Sequence, residues 1–203
     1  MLSGLLLGSS LGAQELPANV QAVLDRSRST RTNYSVVVTA EVSWDENRWT
    51  ETQAEFQQGP LHRVEVARTR VLANCDTGQT YVYDVRAGHL VDPPADTGAC
   101  GVAINADQVI SGRLLEPVIG PYGRADVIEL TGVNFIRRYA VTGDGIIVAT
   151  AYLPRRPDVH FSMRTVTVTV TRGRQNPEMF DPASLSRAFA SAPPPPNNRP
   201  GQP

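Results

Sequence analysis

Two cysteines, three histidines and twenty carboxylates are the side chains that could carry chemistry in this 203-residue sequence. Cys75 and Cys100 are an even pair about 25 residues apart. In an oxidising compartment such a pair is expected to form a disulfide, stabilising by roughly 3 kcal/mol through the loop it closes. Two buried thiols are the alternative. A zinc site of Cys75, His89 and Cys100 lacks a fourth ligand and the close paired spacing of structural zinc, so no metal is expected. His62, His89 and His160 stand far apart, outside any H-E-x-x-H arrangement, and read as surface or strand residues. Glu51 with Glu55, or Glu41 with Glu65, could meet across a sheet as an acid/base pair, but exposed strand carboxylates are ordinarily solvated. Gly8-Ser9-Ser10-Leu11-Gly12 spells G-x-S-x-G without the strand-turn-helix setting of a nucleophile elbow. Neither glycine-rich phosphate-cradling pattern occurs, so no nucleotide cofactor is expected. Nothing here points to an enzyme. Binding through shape and apolar surface, which leaves no short motif, fits this silence better.

Charge narrows the partners further. Nineteen basic residues, all arginine, stand against twenty acidic ones for a net charge of -1. That balance leaves no positive field for a phosphate backbone, so nucleic acid is not an expected partner. The composition, 41% hydrophobic and 19% charged, is that of one globular domain.

The ends of the chain differ from its middle. Residues 1–13, MLSGLLLGSSLGA, are apolar and uncharged, too short to span a bilayer and suited to the core of a secretory signal, with cleavage expected after Ala13. No cysteine follows that point to accept a lipid, and no later apolar run reaches spanning length. A soluble periplasmic protein is the expectation, with a domain over 14–191 and a proline-rich disordered tail over 192–203. Pro193 to Pro196 could present a polyproline II segment to an envelope partner, or act as a spacer.

Between the ends the elements are mostly strands. Ala18 to Arg28 follows Pro17 and carries Val20, Val23 and Leu24 at helical spacing. From Tyr34 to Trp44 the period is two, with Tyr34, Val36, Val38, Ala40, Val42 and Trp44 on one face. Further strands are predicted near 48–56, 63–72, 80–84, 127–130, 135–141, 146–152 and 164–172. Asp45-Glu46-Asn47 and Gly143-Asp144-Gly145 supply hairpin turns. Asn105, with Gln108 at capping-box spacing, predicts a short helix whose apolar side carries Val109, Ile110 and Leu114 and which Pro117 and Gly120 stop. Asp181-Pro182 predicts another, with Leu185 and Phe189 at i, i+4. The fold class is therefore α+β: a curved antiparallel sheet covered by short helices.

Two segments carry a family resemblance. The run GPLHRVEVARTRVLANCDTGQTYVYDVRAGHLV, from Gly59 to Val91, resembles the middle of the LolA family of periplasmic lipoprotein carriers. There a proline opens an Arg- and aromatic-rich strand, followed by a D-G turn and an aromatic strand. Pro60, Arg63, Asp76, Gly78, Tyr83 and Asp84 fit that order, with Thr77 inside the turn. The end, TVTVTVTRGRQNPEMFDPA, is similar to the family's last strand and N-P-x-x-F-x-P close through Asn176, Pro177, Phe180 and Pro182. The resemblance implies a half-barrel sheet, lidded by helices, around an apolar cavity that takes lipoprotein acyl chains or another lipid. It implies a monomeric carrier without catalytic groups or cofactor. Val36, Val38, Val42, Trp44, Tyr81, Tyr83, Ile110, Leu114, Phe135 and Tyr139 are then the candidate lining. The same valine face could instead be ordinary core packed on the helices, as in a non-catalytic envelope scaffold with a filled interior.

Overall fold

The computed structural model describes residues 15–93, 99–102 and 109–189. The expected signal, its cleavage point, the proline-rich tail and the Asn105–Gln108 capping box lie outside the described residues.

Helix α1 (Ala18–Ser29) begins after Pro17 and buries Val20, Val23 and Leu24, the residues its 3.6-residue period puts on one face. Arg26 and Arg28 occupy its last turn, where cations meet the negative end of the helix dipole. The strands are β1 (Tyr34–Trp44), β2 (Asn47–Gln58), β3 (Leu61–Glu65), β4 (Thr69–Asn74), β5 (Thr80–Asp84), β6 (His89–Val91), β7 (Val109–Gly120), β8 (Gly123–Gly132), β9 (Phe135–Thr142), β10 (Ile147–Pro154) and β11 (Phe161–Arg172). They form one antiparallel sheet in the order β6-β5-β4-β3-β2-β1-β11-β10-β9-β8-β7. All sequence neighbours except β6 and β7 pair, and one long-range ladder, β1 with β11, joins the two meanders at the centre. The edges β6 and β7 do not meet, so the sheet is open. Eleven twisted strands in one open layer curl, because the right-handed twist accumulates from strand to strand.

Three sequence expectations are corrected. The strand predicted over 63–72 is two strands, β3 and β4, reversed at Ala67-Arg68, where Val66 and Thr69 exchange backbone hydrogen bonds. A two-residue turn without glycine or asparagine left the alternation unbroken in the sequence. Val109 to Leu114 is not helical but the first half of β7, paired with β8 from Gly132 to Ile128. Its Gly112 admits α1: a β-carbon there would lie 3.0 Å from Leu16 and 3.2 Å from Val20. Pairing with β8 has overridden the helical spacing of Val109, Ile110 and Leu114. Near the end, Pro177–Phe180 and Pro182–Ser186 are two 3-10 turns rather than an α-helix, the second capped as expected by Asp181, which accepts from the Ala183 N–H.

These few helical pieces divide the cover. Helix α1 packs with Ile128, Leu130, Tyr139, Val141 and the loop residue Val102 over β8 and β9. Phe180 and Leu185 of the 3-10 turns pack with Ala54, Phe56 and Leu72 over β2 to β4. Arg63, fully buried, fastens that second cover by donating to the carbonyls of Met179 (2.8 Å) and Arg187 (2.7 Å), to Ser184 Oγ (2.8 Å) and to Glu65 (2.7 Å). Burial lowers the pKa of this guanidinium while the Glu65 carboxylate opposes the shift. Arg70 donates likewise to the Leu185 carbonyl.

Candidate functional site: an aromatic strip on the sheet

Residues directly opposite on antiparallel strands share a face. Following the pairing across five strands gives a row of Trp49, Val42, Met163, Tyr152 and Arg137, from β2 to β9. Trp44 lies opposite Phe161, and Phe135 opposite Pro154. The rings touch in sequence: Trp44 to Phe161 (6.2 Å between centroids), Phe161 to Phe135 (6.1 Å) and to Tyr152 (6.4 Å), Tyr152 to Tyr139 (6.4 Å). Tilted and edge-on contacts at these distances are the favoured geometry of aromatic pairs.

The strip runs from solvent into the core. Trp44 is 56% exposed, Phe161, Phe135 and Tyr152 are half-buried, and Tyr139 is buried among the α1 cluster. At the buried end the Tyr139 and Tyr152 hydroxyls are 3.2 Å apart, and Tyr139 also bonds Arg137. Burial pushes the Tyr139 hydroxyl well above its ordinary pKa, with Tyr152 adding to the shift, so it is neutral throughout the physiological range. An apolar surface ending in the neutral Tyr139 hydroxyl can hold an oily chain and orient a polar group.

The other sequence candidates fall elsewhere. Val36 and Val38 pack with Ile146, Val148, Val168 and Val170 in the body of the sheet, Val36 only 2% exposed. Tyr81 and Tyr83 lie beneath the 3-10 turns. Ile110 and Leu114 are exposed on the edge strand β7. Of the ten, Val42, Trp44, Phe135 and Tyr139 come together. Sequence reading passed over Tyr152, Phe161 and Met163, although Phe161 and Met163 extend the period of the last strand by two same-face positions.

A second, polar place lies beneath the Cys75–Cys100 disulfide, which is formed with Cα atoms 5.6 Å apart. Tyr34, Glu55, Gln57 and His62 surround a cavity of about 10 Å³, room for about one water. The carbonyl of Ala99 bonds His62 Nδ1 and can only accept, so Nδ1 carries a proton, while Nε2 lies 3.4 Å from the Tyr34 hydroxyl. Glu55 approaches the same Nε2 at 3.5 Å. Burial, and then the Glu55 charge, drive the Tyr34 hydroxyl well above its usual pKa, which makes it a donor and not a nucleophile. Of the conjectured acid/base pair Glu41 and Glu65, Glu41 bonds Arg164 and Glu65 bonds Arg63, each at 2.7 Å. Among the described residues no group of three or more His, Cys, Asp or Glu could hold a metal ion, and no helix is long and apolar enough to cross a membrane.

The fold is thus one open antiparallel sheet with two separate helical covers and a strip of aromatic rings on it. No family model and no curated protein matches the sequence. Solved structures do resemble it. An uncharacterized conserved protein from Thermus thermophilus is 18% identical, with 85% of this chain and 96% of that one covered and a TM-score of 0.49. MucB in its complex with MucA from Pseudomonas aeruginosa is 13% identical over 80% of this chain, at a TM-score of 0.47; the match spans 60% of that chain. A LolA superfamily protein from Nitrosomonas europaea is 10% identical, with 79% and 96% covered, at 0.42. Likenesses with TM-scores below 0.5 assign neither ligand nor partner, so the functional reading rests on the side chains themselves.

Proposed function

We propose that this chain is a non-catalytic periplasmic protein, delivered by the segment 1–13, that binds acyl chains of a lipid or lipoprotein along the aromatic strip. The observation that carries the reading is the run of touching rings from exposed Trp44 to buried Tyr139. A row of half-exposed rings in contact with one another is expensive to leave in water, and each methylene covered there contributes about 0.8 kcal/mol before ordering costs. The tyrosine pair at its inner end gives the bound chain's polar group something to bond.

The two tryptophans make this directly measurable. In the Trp49→Phe protein, Trp44 is the sole indole, and a fatty acid brominated along its chain is expected to quench its fluorescence saturably. Absence of quenching at saturating probe, with the circular dichroism of the native fold, rejects the reading. A second reading, docking of an envelope protein, is favoured by a separate observation: the edge strand β7 exposes Ile110, Leu114, Val118 and Ile119, the last at 84%. Ile119→Lys should abolish partner capture in that case and leave quenching of Trp44 unchanged.

A further inference from the structure

The segment 99–102 connects parts of the molecule that the sheet leaves apart. On one side, Cys100 is bonded to Cys75, directly after β4, and Ala99 is buried beside Val71, Ala73 and Val82. Its carbonyl is held by His62 of β3. On the other side, Val102 is buried in the α1 cluster, to which Tyr139 also belongs. The Val102 N–H donates to Ser27 Oγ at 3.4 Å, and Arg28 donates to the Val102 carbonyl at 3.2 Å. Gly101, at φ +96°, presses against the helix so closely that a β-carbon would lie 2.9 Å from the Arg28 side chain. The segment is thus a strap from the β3–β5 wing to α1, and it shares the α1 cluster with Tyr139, the inner end of the aromatic strip. Its hold on the helix is two hydrogen bonds and one valine, whereas its hold on the wing is the disulfide together with buried Ala99 and its bond to His62.

We propose that the Cys75–Cys100 disulfide is a redox-operated latch on the strap 99–102, whose reduction by a dithiol frees Val102 from the α1 cluster and opens the buried, Tyr139 end of the strip. A thiolate of the dithiol attacks one sulfur, forming a mixed disulfide and breaking the Cys75–Cys100 bond; the displaced cysteine thiolate takes up a proton. The second thiol of the reductant then closes its own disulfide and releases the other cysteine, likewise protonated. Two electrons and two protons pass to the protein. Both cysteines are partly accessible, as such attack requires. With the bond to Cys75 gone, the two hydrogen bonds to α1 lose part of the effective concentration that kept them made.

The consequence for ligand entry rests on the acyl-chain reading, but release of the strap does not, and the two are measured separately. The full chain is reduced with dithiothreitol, and cysteine alkylation, hydrogen exchange at Val102 and the binding rate of anilinonaphthalene sulfonate are followed together. Reduction is expected to raise Val102 exchange by about tenfold or more, with unchanged far-ultraviolet dichroism, and to accelerate dye entry in parallel. Cys75→Ser/Cys100→Ser should behave as the reduced protein and ignore dithiol. Ser27→Ala, with the disulfide intact, should leave dye entry at the oxidised rate. Unchanged Val102 exchange after full alkylation, global unfolding on reduction, or entry in Ser27→Ala as fast as in the reduced protein each overturns the latch. Dye excluded from both redox states while Val102 exchange responds leaves the latch standing and removes the acyl-chain reading.

Discussion

Arg63→Met tests whether one buried guanidinium holds the C-terminal cover on the sheet. Arg63 is 0% exposed and donates to Glu65, to Ser184 Oγ and to the carbonyls of Met179 and Arg187 at 2.7–2.8 Å, with the Phe189 ring 4.9 Å from its centre. Methionine fills similar space but makes none of these bonds, and it leaves the buried Glu65 charge without that guanidinium. Breaking a buried pair from one side costs about 3–5 kcal/mol. With an m-value of about 2 kcal/mol/M in urea, the unfolding midpoint should fall by roughly 1.5–2.5 M. Limited proteolysis should meanwhile cut the 177–189 segment before the sheet. Removing the charge as well, in Arg63→Met/Glu65→Leu, should recover about half of the loss, because the carboxylate no longer needs a counter-charge while the carbonyls of the turns still lack a donor. A loss under about 1 kcal/mol in the single variant refutes the account of Arg63 as the clamp. A double variant no more stable than the single refutes the assignment of the cost to Glu65.

Trp44→Ala, at an exposed position, should change stability by less than about 1 kcal/mol and weaken the brominated acid about tenfold, one lost apolar contact's worth in the dissociation constant by fluorescence titration. Gly145 has φ +87°, and a β-carbon there would lie 2.5 Å from the Arg26 carbonyl oxygen, whereas Gly59 at φ +58° faces open space. Gly145→Ala should therefore lower Tm by more than about 6 °C and Gly59→Ala by only about 2–4 °C, read by calorimetry. Asp144 is held below the usual carboxylate range chiefly by its hydrogen bond from Arg172. Glu129 is also held low: burial acts to raise it but is outweighed by Arg138 and Arg113. As pH falls the unfolded chain protonates first, so stability should be whole above about pH 5 and decline below about pH 4, through the depressed folded values. Arg172→Gln should flatten that acid limb in urea titrations at successive pH values.

The strands of this protein are written locally. Tyr34 to Trp44 alternates without interruption, and its face, length and hairpin to β2 all follow from period and turn residues. Positions where the signal failed share a cause. The turn at Ala67-Arg68 uses residues with no turn preference, and the capping pattern at Asn105 precedes a segment that β8 pairs as a strand. Of the site, Trp44 and Tyr139 were legible as large rings on alternating strands. The meeting of Trp44 with Phe161 was not, since it depends on the register of β1 against β11, residues some 120 positions apart in sequence, and that of Tyr139 with Tyr152 depends on a register shift within the β9–β10 hairpin.

Composition and period by themselves determined an antiparallel α+β domain, the hairpin connections, the absence of a phosphate-binding charge and the pairing expected of two cysteines. Only the tertiary structure decided that Val36 is core while Val42 joins the strip, that Arg63 is a clamp, and that the disulfide straps a sheet wing to a helix. Alternation tells each side chain its face, because successive residues of a strand point opposite ways. What covers that face is set by elements distant in the chain, whose arrival no local pattern encodes.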